Sequence, residues 1–243
     1  MKKLLVVVLA VLMALSLVAS GEELIVGTNA EFPPFEYIAD DGSIQGFDIE
    51  LIQSILDMAN IQYKVESMEF DALPAALNAG QINIAIAALT ISEEKGTSVL
   101  FSEPYFSATQ KLIVLADSKI AIEADILPGM KVGVQLGTTG DIYVTDNMEG
   151  VVCERYSKAL DAILDLKNGR LDAVMVDSAP AMVFEKEVAG IKVLDENLSD
   201  EQYGIAVQLG DTDLMQIINE GLKTLEENGG FEEIYGKYFD IIE

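Results

Sequence analysis

The chain of 243 residues contains no histidine and no tryptophan, one cysteine, and 15 basic residues against 41 acidic ones. Each shortage excludes something. Without histidine there is no Ser-His-Asp triad, no Cys-His pair and no zinc site of the usual kind. Cys153 alone makes no internal disulfide and reads as a buried or half-buried small hydrophobe. A net charge of −26 repels phosphate backbones and anionic lipid surfaces, so nucleic acid is a poor partner. The acids are dispersed, which suits a solubilising surface rather than an acidic tail.

Long apolar runs are also missing, except at the start. Met1-Lys2-Lys3 is followed by the apolar stretch Leu4–Val18 and then by Ala19-Ser20-Gly21. This is the pattern of a secretory signal peptide over residues 1–21. The run is shorter than the ~20 residues that a membrane span needs. Removing Lys2 and Lys3 with the signal makes the net charge −28. No cysteine stands at the cleavage point to carry a lipid tether, which points to the periplasm. About 220 residues remain, enough for one large or two small domains.

What the chain does contain is a repeat. FDALPAALNAGQINIAIAALT (70–90) and YSKALDAILDLKNGRLDAVMVDS (156–178) each read as an amphipathic helix, a glycine stop at Gly80 or Gly169, and an apolar run. LIVGTN (24–29) and KVGVQLGTTG (131–140) each read as a strand feeding a turn. Two lobes built alike face each other across a cleft, and clefts are where ligands bind.

The pattern predicts β–α–β–α–β in the first lobe. A strand at 24–27 leads to a loop stiffened by Pro33-Pro34, then to a helix with Asp48 as its N-cap. A strand at 61–65, a helix capped by Asp71 and a buried strand at 82–89 follow, and 92–96 reads as one helical turn. This is the signature of a parallel sheet covered by helices. The chain crosses over at 110–116, and the scheme repeats. Strands are expected at 132–136, 171–176 and 191–194, and helices near Asp141, at 157–168 and from Asp177 or Ser178 to 188. Residues 204–207 return to the first lobe, and helices at 213–227 and 231–238 pack on it. The expected division is 22–108 with 203–243 for lobe 1 and 109–202 for lobe 2, with the crossovers acting as a hinge.

In open parallel sheets, ligands bind beyond the carboxyl ends of the strands. Four ends stand out: Thr28-Asn29, Ala88–Thr90, Leu136–Thr139 and Asp177-Ser178. Gly137-Thr138-Thr139-Gly140 is either a small anion cradle at a helix N-terminus or an ordinary tight turn. Lys95 opposes the helix dipole in its turn, so it is either kept for an anionic ligand or a solvated surface cation. Asp177 is an ammonium partner, a helix N-cap, or both. Phe32, on its stiff loop, stacks on a ligand or forms a hydrophobic lid over its own lobe; Phe70 is a cleft wall or ordinary core, and Phe35 reads as core. Asn29 reads a polar ligand group or bonds its own turn. Taken together, one cation, one anion, an amide cradle and aromatic walls suit a small zwitterion.

At this point the chain resembles the extracellular solute-binding proteins for polar amino acids, the receptor subunits of ABC importers, and most of all their glutamine- and histidine-binding members. The resemblance rests on GTNAEFPPFEY (27–37), GFDIEL (46–51), FDALPAALNAGQINIAIAALTISEEK (70–95), FSEPYF (101–106), VGVQLGTTG (132–140), GRLDAVMVDSAP (169–180), QYGIAV (202–207) and LKTLEENGGFEEIYGKYF (222–239). It implies the type II α/β fold of periplasmic binding proteins: two lobes on a two-strand hinge, closing on one amino acid and docking on a permease. It places Asn29, Phe32 and Phe70 at the ligand side chain, Ala88 and Thr90 on the facing strand end, Thr138 and Thr139 at the carboxylate, and Asp177 at the ammonium. Lys95 stands where the family usually has Arg, which trades a planar fork for a point charge. Asn29 stands where the family often has Asp, which argues for a neutral polar ligand such as glutamine. The resemblance implies a monomer and calls for no cofactor and no metal. A few proteins of this fold are cyclohexadienyl (prephenate or arogenate) dehydratases. That alternative needs a general acid, for which Glu31 is the nearest candidate, although it is expected to point to solvent.

Overall fold

The structure, a computed structural model, describes residues 23–92 and 96–240. The expected signal peptide and Lys95, with most of the turn expected at 92–96, lie outside the described residues.

Two five-stranded sheets form the frame. The first contains β1 (Leu24–Thr28), β5 (Tyr63–Ser67), β6 (Ile84–Ala85), β7 (Val99–Phe101) and β15 (Ala206–Gln208), in the order β5-β1-β6-β15-β7. The second contains β9 (Gln110–Leu115), β10 (Lys131–Gln135), β11 (Val152–Tyr156), β12 (Ala173–Asp177) and β13 (Ile191–Val193), in the order β11-β10-β12-β9-β13. In each sheet the first three strands are parallel, and a strand from the far side of a crossover closes the sheet antiparallel. A two-stranded ribbon, β8 (Phe106–Ala108) with β14 (Glu201–Tyr203), connects them. A small meander, β2 (Glu31–Phe32), β3 (Glu36–Ile38) and β4 (Ile44–Gln45), sits on the first lobe.

The repeat read in the sequence is a repeat in space. Helix α1 (Phe47–Met58) follows the meander, and α2 (Leu73–Asn78) precedes β6; in the second lobe α3 (Thr139–Asn147) follows β10 and α4 (Ala159–Lys167) precedes β12. Gly80 and Gly169 stop α2 and α4 at φ 66° and 69°, the left-handed region that ends helices. Gly27 in β1 and Gly133 in β10 play matching parts. A Cβ on Gly27 would lie 2.5 Å from Ile82, and one on Gly133 would lie 2.5 Å from Leu171. At both sites glycine leaves room for the side chain that follows the helix to pack against the strand.

Helix α5 (Ser178–Glu187) completes the second lobe. Helices α6 (Thr212–Asn228) and α7 (Gly230–Phe239) return to the first. Asp211 caps α6 by accepting from the Leu214 N–H, and the buried stripe Leu214, Met215, Ile218, Leu222 and Leu225 turns α6 onto α1. Phe35 is fully buried, as expected, and its ring lies 4.9 Å from that of Phe106, 5.3 Å from Tyr203 and 5.5 Å from Phe239.

Three expectations are corrected. Gly46, not Asp48, occupies the N-cap of α1, because Asp48 is fully buried and bonded elsewhere. Asp71 does not cap α2. It lies in a 3-10 turn, Phe70–Ala72, ahead of the helix, and makes no cap bond. The apolar run expected as a strand over 82–89 pairs only at Ile84–Ala85, since Ala88 adopts φ 47° and takes the chain out of the sheet.

Candidate ligand-binding site between the lobes

The carboxyl ends of the parallel strands meet between the two sheets. Phe32, Phe70, Ala88 and Thr90 from the first lobe, with Gln135, Thr138, Thr139 and Asp177 from the second, line one narrow cavity. Seven of these eight are residues that the sequence singled out. Asn29 stands behind the wall, and Lys95 lies outside the described residues. Gln135 was missed.

Thr90, Gln135, Thr138 and Asp177 are each held by hydrogen bonds to neighbours. Asp177 occupies the N-cap position of α5, but its carboxylate makes no cap bond. Instead Oδ1 accepts from Gln110 Nε2 at 2.8 Å, and Oδ2 accepts from the Tyr203 hydroxyl. Burial first, and Asp177 second, push the Tyr203 phenol well above its ordinary range, so it remains a donor. The same Gln110 Nε2 reaches Oε1 of Glu201 at 3.0 Å. Glu201, on the hinge strand β14, accepts from Thr90 Oγ1 at 2.6 Å and from Ser199 Oγ at 2.7 Å. One buried carboxyl group, Asp177, thus lines the cavity, a second, Glu201, stands behind Thr90, and both are braced by neutral donors. That is an environment for a cation such as an ammonium group.

Thr138 caps α3. Its hydroxyl donates to the Gln135 carbonyl at 2.8 Å and accepts from the Asp141 N–H at 3.3 Å. The first turn of a nine-residue helix therefore faces the cavity beside Thr138 and Thr139, and its dipole favours an anion there.

At the end near Phe32 the amides are committed. Asn29 Nδ2 donates to the Met68 carbonyl at 2.8 Å. Gln135 Nε2 donates to the Ser157 carbonyl at 3.0 Å and across the cleft to Asn29 Oδ1 at 2.9 Å. Two backbone carbonyls, which can only accept, fix the orientation of both amides. Glu31 does not point to solvent as expected. It pairs across the cleft with Lys158 at 2.6 Å.

Two lobes, strand ends facing a shared cavity, and opposite charge preferences at its two ends match one established family. The model of the bacterial extracellular solute-binding proteins, family 3, fits residues 24–241. The chain belongs to this family. As a family 3 binding protein it is 33% identical over 219 residues to a probable histidine-binding protein of Neisseria gonorrhoeae, covering 88% of this chain and 82% of that one. It is 33% identical over 244 residues to a putative ABC transporter arginine-binding protein of Escherichia coli K12, covering 98% and 99%. A solved mutant of ArgBP from T. maritima, a protein also solved with arginine bound, superposes with a TM-score of 0.88 at 40% identity, covering 93% of this chain and 99% of that one. This family 3 protein is therefore a type II periplasmic binding protein that binds an amino acid for an ABC transporter. It is a receptor and not an enzyme, and its place is outside the cytoplasmic membrane.

Proposed function

We propose that the ligand is an amino acid whose side chain ends in hydrogen-bond donors, arginine before glutamine, and that the cavity residues named above hold it. The carrying observation is the committed pair of amides. Gln135 Nε2 has donated both of its hydrogens and Asn29 Nδ2 one, so what these side chains chiefly offer is acceptor capacity, at Gln135 Oε1 and the remaining lone pair of Asn29 Oδ1. A guanidinium is all donors, and the faces of Phe32 and Phe70 provide surfaces on which its plane can stack. Asp177, with Glu201 behind Thr90, suits the ammonium, and the start of α3 with Thr138 and Thr139 suits the carboxylate. The relatives named for arginine support the reading. Asn29 favours glutamine as the second ligand, because it contributes no charge to hold a cation. One chain completes the cavity from its own two sheets, so the working unit is a monomer that delivers its cargo to a membrane permease.

Calorimetry with arginine, glutamine, histidine, lysine and glutamate tests this. Arginine is expected to bind most tightly, near or below micromolar, about −8 kcal/mol or stronger. Glutamine follows, and glutamate is weakest. Glutamate binding as tightly as arginine would overturn the reading.

A further inference from the structure

Beneath the cavity wall lie two acids that the ligand does not need to touch. Glu36, in β3, and Asp48, in the first turn of α1, are both fully buried. Asp48 Oδ2 accepts two bonds at 2.8 Å, from the Tyr105 hydroxyl and from the backbone N–H of Ala88. Ala88 lines the cavity and has φ 47°, a conformation that alanine adopts only when its surroundings impose it. Neither oxygen of Glu36, nor Oδ1 of Asp48, receives an N–H or O–H from another described residue. Buried polar atoms are rarely left so. The Asp48 N–H donates to the carbonyl of Phe35 at 3.0 Å, the residue just before Glu36, which brings the two acids into one buried place, and one proton shared between their carboxyl groups would supply the missing donor.

We infer that Glu36 and Asp48 form a hydrogen-bonded carboxylic acid–carboxylate pair that positions Ala88 in the wall of the ligand cavity. Glu36 holds the proton and donates to Asp48 Oδ1. Asp48 carries the charge and clamps the Ala88 N–H, which fixes where the next peptide presents its carbonyl. The electrostatics agree with this assignment. Burial first, and the charge of Asp48 second, raise Glu36 well above its ordinary range. Asp48 is raised only to about 7, because the bonds from Ala88, Tyr105 and Glu36 oppose the effect of its burial. The groups facing the pair are Tyr105, which burial keeps protonated, and Asp177, whose charge adds to that of Asp48 at Glu36. Both residues are positioning residues, since Ala88 and not the pair faces the cavity.

The inference rests on the arginine reading only for its affinity arm, so two measurements are paired. The first needs no ligand: carbon-13 spectra of the side-chain carboxyl groups taken above the Asp48 midpoint of about 7. One acid and one carboxylate are expected for Glu36 and Asp48, and two carboxylates would overturn the pair. The second is arginine titration of variants. Asp48→Ala should weaken binding roughly tenfold or more, because it abandons the Ala88 N–H. Asp48→Asn and Glu36→Gln keep an acceptor for Ala88 and a donor between the two side chains, so both should restore most of the affinity. Asp48→Ala binding like the parent, or Glu36→Gln failing as badly as Asp48→Ala while still folded, overturns the positioning role. If no amino acid binds the parent, the arginine reading has failed and the carboxyl spectrum alone decides the pair.

Discussion

Gln135 and Asn29 occupy equivalent places in the two lobes, each two residues after the glycine of its first strand, and Gln135 Nε2 donates to Asn29 Oδ1 at 2.9 Å. The repeat therefore brings its own counterparts into contact across the cleft. Replacing Asn29 by Asp keeps an acceptor for Gln135 and adds a charge at the side-chain end. The ratio of arginine to glutamine affinity should rise roughly tenfold or more, since a charged partner at a buried site is worth more than a neutral one. An unchanged ratio in calorimetry would remove Asn29 from the specificity end.

Asp177→Asn retains the shape of the side chain beside Gln110 and Tyr203 but removes the charge. Losing one partner of a buried charge pair costs about 2–5 kcal/mol of binding. Affinity should fall by that amount for every amino acid in the panel, while circular dichroism and the melting of the ligand-free protein change little. Uniformly retained affinity would mean that the ammonium lies elsewhere.

The Glu31–Lys158 pair links the lobes at the cleft rim, where the side chains are 26% and 44% exposed. Exposed pairs contribute only about 0–1 kcal/mol and are screened by salt. Lys158→Ala should therefore lower affinity less than about fivefold and flatten its dependence on ionic strength. A much larger loss, unaffected by salt, would show that the pair does more than assist closure.

Stability should fall as pH rises. The unfolded chain releases the Glu36 and Asp48 protons near pH 4, whereas the folded chain retains them to higher pH, up to about 7 for Asp48. The folded form binds more protons in that window, so unfolding becomes easier from about pH 4 upward through 7. Glu36→Gln carries its hydrogens at every pH. Its melting temperature should decline less between pH 5 and 8 than that of the parent, and parallel curves would refute this.

Much of this was written in the sequence. Gly80 and Gly169 act as helix stops because glycine adopts a left-handed turn without cost, and that preference is local. The strand ends were legible because parallel strands are short apolar runs that break into polar residues. Gln135 was missed, although aligning the two repeats on Gly27 and Gly133 places it opposite Asn29. Asp48 looked like a cap because an aspartate just before the periodic apolar residues Ile49, Ile52 and Ile55 is a common helix start. Only the fold shows that Tyr105 and Ala88 need its oxygen. Glu31 looked solvated because its partner, Lys158, is 127 residues away. Contacts between lobes are set by how the sheets meet, and no local pattern encodes that.

The aromatic cluster around Phe35 bears on where the molecule bends. Phe106 and Tyr203, one from each strand of the connecting ribbon, stack on each other at 5.6 Å, and Phe106 stacks on Phe239 at 5.0 Å. Both rings pack into the first lobe's aromatic cluster, while the Tyr203 hydroxyl also reaches Asp177 of the second. We propose that bending between the lobes would fall on the short stretches beyond the ribbon, around Thr109 and Asp200, so that the second lobe would turn there like a door whose frame is already fixed.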